Sequence, residues 1–384
     1  MPTAPPIYLD HNATAPVRAE VAEAMARALR DLPGNPSSPH TLGQAARAAV
    51  ERAREEAAAL LGAAPRDLVF TSGATEANNA ALRGVLALRA RPSHVVTTAV
   101  EHPSVEEPLA ALEAEGVAVT RIGVDADGRV DPEAVAAALR DDTALVSVIL
   151  AHNETGVLQD MAKIAEAAHA RGVPVHADAT QALGRVPIDV AALGADLVAA
   201  SVHKCGGPKG AGLLVARRSL GLAPLLRGGG QERGRRGGTE NVPALVGLGA
   251  ACALAARELP ERGRRWAALR DRLWQGIRAA VPRVRRNGSL AHVLPNTLNV
   301  EFEGAEAEVL LEALDLEGVC VSTGAACSSG SIEPSAALLA MGRTPEQARA
   351  SLRLSLGHGV DEAQLDRVVQ LLAQLVPRVR EMAS

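Results

Sequence analysis

The sequence predicts an α/β fold, a mostly parallel seven-stranded sheet with a smaller α+β domain. Two observations carry this. Short β-branched runs alternate with Ala- and Leu-rich helical stretches. Most of those runs are apolar without alternation, as in strands covered on both faces. Seven lie at 67–71, 94–99, 117–122, 144–150, 173–178, 196–201 and 212–216. Between them fall helical patterns such as 104–114, 132–139 and 161–171, the second opened by Asp131 as N-cap and Pro132 at the first helical position. A glycine- and arginine-rich stretch, 227–238, then breaks the order, and long helical patterns run from about 242 to 281. The domain boundary is set near Arg257, giving a large domain over 16–256 and a small one over 1–15 and 257–384. The small domain reads as strand 297–301, helix 305–314, short strand 319–322, then helix, strand and a last helix at 361–380.

Composition narrows the function. A formal net charge of −4 over 384 residues gives no general attraction to nucleic acid or anionic membrane. The N-terminus lacks a basic segment followed by an apolar one, and no stretch approaches the roughly 20 apolar residues of a membrane span. The expected location is therefore the cytoplasm. The four cysteines, Cys205, Cys252, Cys320 and Cys327, form no C-x-x-C pair, so neither a disulfide framework nor a metal site is expected. A cysteine with a role acts alone, as a thiol.

Ligands of open α/β sheets bind beyond the carboxyl ends of the strands, which directs attention to the polar residues after each run. Thr71 to Ala77 follows the first run, and its small residues, Ala74 and Thr75 among them, open a helix whose free N–H groups could cradle a phosphate. After 196–201 comes Val202-His203-Lys204-Cys205-Gly206-Gly207. A lysine straight after a buried strand suits a Schiff base, because burial favours the uncharged amine. The later Gly-Pro-Lys-Gly-Ala-Gly lacks the Lys-Ser/Thr ending of a nucleotide P-loop. Asp178 closes the fifth run, where a buried carboxylate needs a cation, and a protonated pyridine nitrogen is one. Cys327 stands in a Gly-, Ser- and Ala-rich segment, 321–335, the composition of a loop carrying a nucleophile.

Taken in order, Tyr8 to Thr14, Gly34 to His40, Thr71 to Glu76, Glu101-His102, Asn153 to Gly156, His176 to Gln181, His203-Lys204, Gly228 to Glu232 and Gly238 to Asn241 resemble the cysteine desulfurases of the NifS/IscS group, across essentially the whole chain. The resemblance implies a class-V aminotransferase-like enzyme of the fold type I pyridoxal-phosphate transferases. It implies that Lys204 carries pyridoxal 5'-phosphate, that Asp178 faces the ring nitrogen and Gln181 the ring hydroxyl, and that His102 covers the ring as a catalytic group. Thr75, Ser201 and His203 would bind the phosphate with Thr239 of a partner subunit, so a homodimer is expected. Asn153 and Arg353 would hold the carboxylate of L-cysteine. Cys327 would take the sulfur as a persulfide and pass it to an acceptor such as an iron–sulfur scaffold, for cluster or thio-cofactor assembly. A selenocysteine lyase on the same fold, which need not use Cys327, is the alternative. Two departures stand out: His11 precedes Asn12 where relatives vary, and Ala15 stands where a threonine is common.

Overall fold

Seven strands line up in one sheet. The computed structural model describes residues 5–89, 93–324 and 333–382. Its strands are β1 (Ile7–Tyr8), β2 (Leu68–Thr71), β3 (His94–Thr98), β4 (Ala118–Ile122), β5 (Thr143–Ile149), β6 (Val175–Asp178), β7 (Leu197–Ser201), β8 (Gly212–Ala216), β9 (Val284–Asn287), β10 (Thr297–Phe302), β11 (Val319–Cys320) and β12 (Ser351–Ser355). The large sheet has the order β2-β8-β7-β6-β5-β3-β4. Pairing is parallel from β4 through β3, β5 and β6 to β7, and only β8 runs antiparallel to its neighbours. Thr71 and Ser201, the last residues of β2 and β7, both pair with Gly212, the first of β8. The carboxyl ends of β2 and β7 therefore share an edge with those of β5 and β6.

The unbroken apolar runs have the expected cause. Leu197 and Ala199 pack on one face of the sheet with Val69, Leu82 and Leu145. Val198 and Ala200 pack on the other with Val50, Leu61 and Leu245. Successive side chains alternate in direction, so a sheet covered on both faces needs apolar residues at every position.

A second core gathers Leu9, Leu298, Val300, Leu352, Leu354 and Leu372 with their neighbours. It contains the antiparallel sheet β12-β10-β9 and the parallel pair β1-β11. The helix Val242–Ala280 belongs to both cores: Leu245, Leu248 and Ala255 lie in the first, and Leu269, Leu273 and Ile277 in the second. Arg257, chosen as a boundary, lies inside this helix. By length and composition this helix alone, among the described residues, could cross a membrane, a stretch the sequence reading passed over. More than half of its most apolar window is buried in the protein. A helix that fills a core must be apolar on most sides.

The stretch 227–238 is pinned rather than loose. Glu232 is buried and receives both terminal nitrogens of Arg54 at 2.8 Å, together with the Phe70 N–H at 2.9 Å. Arg236 pairs with Glu76 at 2.9 Å. These contacts fix the segment across β2, next to the edge where the strands end.

Candidate active site

β7 ends at Ser201, and one turn, Val202–Lys204, delivers Lys204 to the carboxyl edge of the sheet. There it borders a cavity of about 460 Å³ lined also by Thr75, His102, Asp178, Ser201 and His203. Lys204 is half-buried by area because it faces this open space, yet protein crowds it on the remaining sides. Burial above all, then the Arg185 guanidinium and more weakly that of Arg353, lower its pKa to about 8, against the pull of Asp178 and Asp10. The lowered pKa raises the uncharged fraction of the amine near neutral pH well above that of an ordinary lysine, in the direction a group that must attack a carbonyl requires.

Asp178, the last residue of β6, is buried and enters the same cavity. Its Oδ1 accepts the Thr180 N–H at 2.9 Å and its Oδ2 accepts from Asn78 Nδ2 at 2.8 Å. Asn78 Nδ2 also reaches Ser104 Oγ at 2.8 Å, and Ser104 Oγ lies 2.8 Å from His102 Nδ1. A chain of polar groups thus joins the carboxylate to the imidazole. His102 caps the helix Pro103–Ala114, its Nδ1 accepting the Ser104 N–H at 3.0 Å. In the neutral ring the proton therefore sits on Nε2. Burial lowers the His102 pKa, with Asp178 opposing and Lys204 assisting.

The remaining expected residues divide. Gln181 lines the cavity, donating to the Asn12 carbonyl at 3.0 Å while its Oε1 accepts from Arg185. Ser201 Oγ donates to the Ala211 carbonyl at 3.1 Å, and His203 Nδ1 lies 3.1 Å from Thr14 Oγ1. Burial and the nearby Lys204 hold His203 neutral, with a pKa of about 4. Ala74 and Thr75 open the helix Ala74–Leu86 at the cavity wall, and Gly73 offers that helix no side-chain cap. Its first N–H groups are therefore free for a ligand. A Cβ on Gly212 would fall 2.5 Å from the Gly73 backbone, so β8 must begin with glycine for this helix to sit against the sheet.

Asn153 also lines the cavity. Arg353 does not: its Nη1 donates to the Asn153 carbonyl at 3.0 Å and its Nη2 to Asp10 at 2.6 Å, while Nε is buried without a partner. Thr239 is exposed and stands apart from the residues lining the cavity. Cys327 lies outside the described residues. Of the other cysteines, Cys252 is core, Cys320 ends β11 and Cys205 packs beside Lys204 with its Sγ 3.3 Å from the Val202 carbonyl. His11 turns away from the main cavity toward a second one behind Lys204, its Nδ1 3.2 Å from the Ser355 carbonyl.

The sequence model of the class-V aminotransferases matches residues 7–368. This chain belongs to that family. Its curated relatives place it among the cysteine desulfurases. One from Trichormus azollae is 44% identical over 98% of this chain and 94% of its own length. The desulfurase IscS of Methanosarcina thermophila is 44% identical over 98% of this chain and 93% of its own. Among solved structures, a NifS-like protein superposes with a TM-score of 0.91 at 34% identity, covering 97% of this chain and all of the other. SspA in complex with cysteine gives 0.81 at 34% identity, covering 91% and 98%. Enzymes of this family use pyridoxal phosphate, and the donor set of this desulfurase fits that group. An amine of lowered basicity suits its aldehyde, a buried carboxylate its ring nitrogen and an uncapped helix N-terminus its phosphate.

Four residues of this neighbourhood escaped the sequence reading: Asp10, Asn78, Ser104 and Arg185. Asp10 lay within a motif quoted for the family but without a role. Asn78 sits one helical turn inside its helix, where polar residues usually face water, Ser104 is the second residue of its helix, where a serine reads as part of the cap, and Arg185 reads as a surface arginine after a turn.

Proposed function

We propose that this desulfurase converts L-cysteine to L-alanine, passing the sulfur to Cys327 as a persulfide and then to an acceptor protein. The observation that carries this reading is the meeting of Lys204 and Asp178 in one cavity above an uncapped helix N-terminus. Pyridoxal phosphate, when bound, supplies a carbonyl for the substrate amine and a ring that stores electrons from Cα.

The residues of the chain supply the rest. Lys204 would hold the cofactor and, with the substrate amine bound, would carry the Cα proton. Asp178 keeps the ring nitrogen protonated, an electrostatic role suited to a buried carboxylate. Gln181 would hold the ring hydroxyl and His102 would bound the ring. Ala74, Thr75, Ser201 and His203 bind the phosphate. Asn153 and Arg353 hold the substrate carboxylate, for which a planar guanidinium is suited. The Cys327 thiolate attacks the substrate sulfur, so an S–S bond forms as the C–S bond breaks. The electron pair of that C–S bond stays with carbon, which takes up a proton on the way to alanine.

Thr239 completes the phosphate site of a second subunit, a reading supported by its exposure and by the Glu232 and Arg236 ion pairs that fasten its segment. The chain therefore works as a homodimer. Apart from Leu294, which packs in the first core, the two hydrophobic cores support a large domain over 16–256, with 1–15 and 257–384 forming the small one. The free thiols Cys205, Cys252 and Cys320 suit a reducing compartment such as the cytoplasm.

The test is to trap the cofactor with borohydride and, separately, to follow labelled sulfur from cysteine. Covalent cofactor on Lys204 and label on Cys327 are the expected results. Cofactor on Lys163 or Lys209, or sulfide released with no label on Cys327, would overturn the reading.

A further inference from the structure

Behind Lys204, away from the cofactor cavity, lies a second cavity of about 390 Å³ whose lining includes His11, Arg185, Lys204, Cys205 and Arg262. Arg185 is among the largest fully buried side chains of the protein. A buried arginine is ordinarily paired with a carboxylate. This one has no such partner among the described residues. Its Nη2 donates to the His11 carbonyl at 2.8 Å and to the Lys204 carbonyl at 3.3 Å. Its Nη1 donates to the Gln181 carbonyl at 3.2 Å and to Gln181 Oε1. Every acceptor is neutral, so the hydrogen bonds are satisfied while the charge is not.

The backbone is built to bring it there. Gly184 adopts φ +68°, and a Cβ at that position would meet the Cys205 Cβ at 3.0 Å, so only glycine turns the chain inward beneath Lys204. The burial cost of an uncompensated guanidinium is large, and its own pKa is lowered to about 9. A surface position would avoid that cost. Two of the three residues it grips, Lys204 and Gln181, are those that meet the cofactor in the proposed function; the third is His11.

We propose that Arg185 is a positioning residue for Lys204: it fastens the Lys204 turn and the Gln181 side chain, and sets an unpaired positive charge against that turn. The groups facing Lys204 are Asp178 at the end of β6, Asp10 from the N-terminal segment, Arg353 from β12, and His102, His203 and Lys209 around the cavity. Of the cations, Arg185 acts most strongly on the amine. Arg353 is already paired with Asp10.

The inference rests on Lys204 being the residue that carries the cofactor, and the experiment separates the two. Holoenzymes of the parent, Arg185→Gln, Arg185→Met and Arg185→Lys are titrated with base while the visible absorption band of the bound cofactor is followed. Borohydride trapping identifies the modified lysine in each. Both neutral variants should raise the pH midpoint by about one unit, the effect of removing one nearby like charge. Arg185→Lys, which keeps the charge, should stay close to the parent. Trapping on Lys204 with an unmoved midpoint in the neutral variants sinks the Arg185 proposal alone, whereas trapping on another lysine sinks the site assignment. Failure of both neutral variants to fold makes Arg185 a folding residue and overturns the proposal as well.

Discussion

Arg353 donates through Nη2 to the Asp10 carboxylate at 2.6 Å, in a pair whose side chains are 5% and 20% exposed. The second arm of the fork reaches the Asn153 carbonyl. The residue proposed to receive the substrate carboxylate therefore already holds a carboxylate of its own chain. Substrate binding at Arg353 must share it with Asp10 or displace it. Asp10→Asn keeps the shape of the side chain and removes the competing charge. The expected outcome is a KM for cysteine lower by about fivefold, about 1 kcal/mol for a partly exposed ion pair, with kcat little changed. A rise in KM would show that Asp10 holds Arg353 ready for substrate instead.

Asn78 is the link between Asp178 and Ser104. Its Nδ2 is a neutral donor to a buried carboxylate, a type of bond worth about 1.5–3 kcal/mol. Asn78→Ala should therefore weaken cofactor retention about tenfold or more, measured as the rate of cofactor loss on dilution. An unchanged rate would mean that Asp178 needs no orienting partner.

Asp178→Asn, kept loaded with excess cofactor, should slow turnover by orders of magnitude, since each ~1.4 kcal/mol of lost stabilisation is tenfold in rate. Turnover near that of the parent would remove Asp178 from its electrostatic role.

Glu101 is half-buried by area beside His102, its Oε1 accepting from Thr98 Oγ1 at 2.7 Å and the Ile149 N–H at 2.9 Å, its Oε2 shut off from solvent without a partner. Burial pushes its pKa up from 4.5 to about 8. The folded protein thus keeps a proton that the unfolded chain releases above 4.5. Stability from this group is fullest below pH 4.5 and is lost as pH rises toward about 8. Glu101→Gln preserves the Oε1 acceptor and cannot ionise. Melting temperatures of parent and variant should run together near pH 4 and separate toward pH 8 in favour of the variant. Parallel curves across that range would mean that Glu101 carries its charge without penalty.

Cys327→Ser should still change the absorption of the holoenzyme when cysteine is added, because Lys204 and Arg353 remain. Alanine and sulfide should not accumulate, since a hydroxyl is a far weaker nucleophile than a thiolate. Full activity on cysteine in this variant would favour a lyase that releases its chalcogen directly.

The sheet was legible because its strands are apolar on both faces, and each lies within two residues of the expected ends. Lys204 and Asp178 were legible for the same reason, as polar residues terminating apolar runs. Asn78 and Arg185 were not. Asn78 meets Asp178 across 100 residues, and Asp10 meets Arg353 across 343, so neither pairing leaves a local pattern. The passage of one helix through both cores was equally hidden. Pro260 suggests a break, but it sits within Val242–Ala280, where packing on either side holds the turn it weakens.

That helix has 39 residues and at 1.5 Å per residue spans about 58 Å. A rod rooted in two cores cannot fray in one without stripping side chains from the other. The desulfurase should accordingly melt in one calorimetric transition, although two separate cores would ordinarily melt apart. Gly substituted for Arg257, at the passage between them, lowers helix propensity without removing a side chain from either core, and should loosen that cooperativity into two transitions.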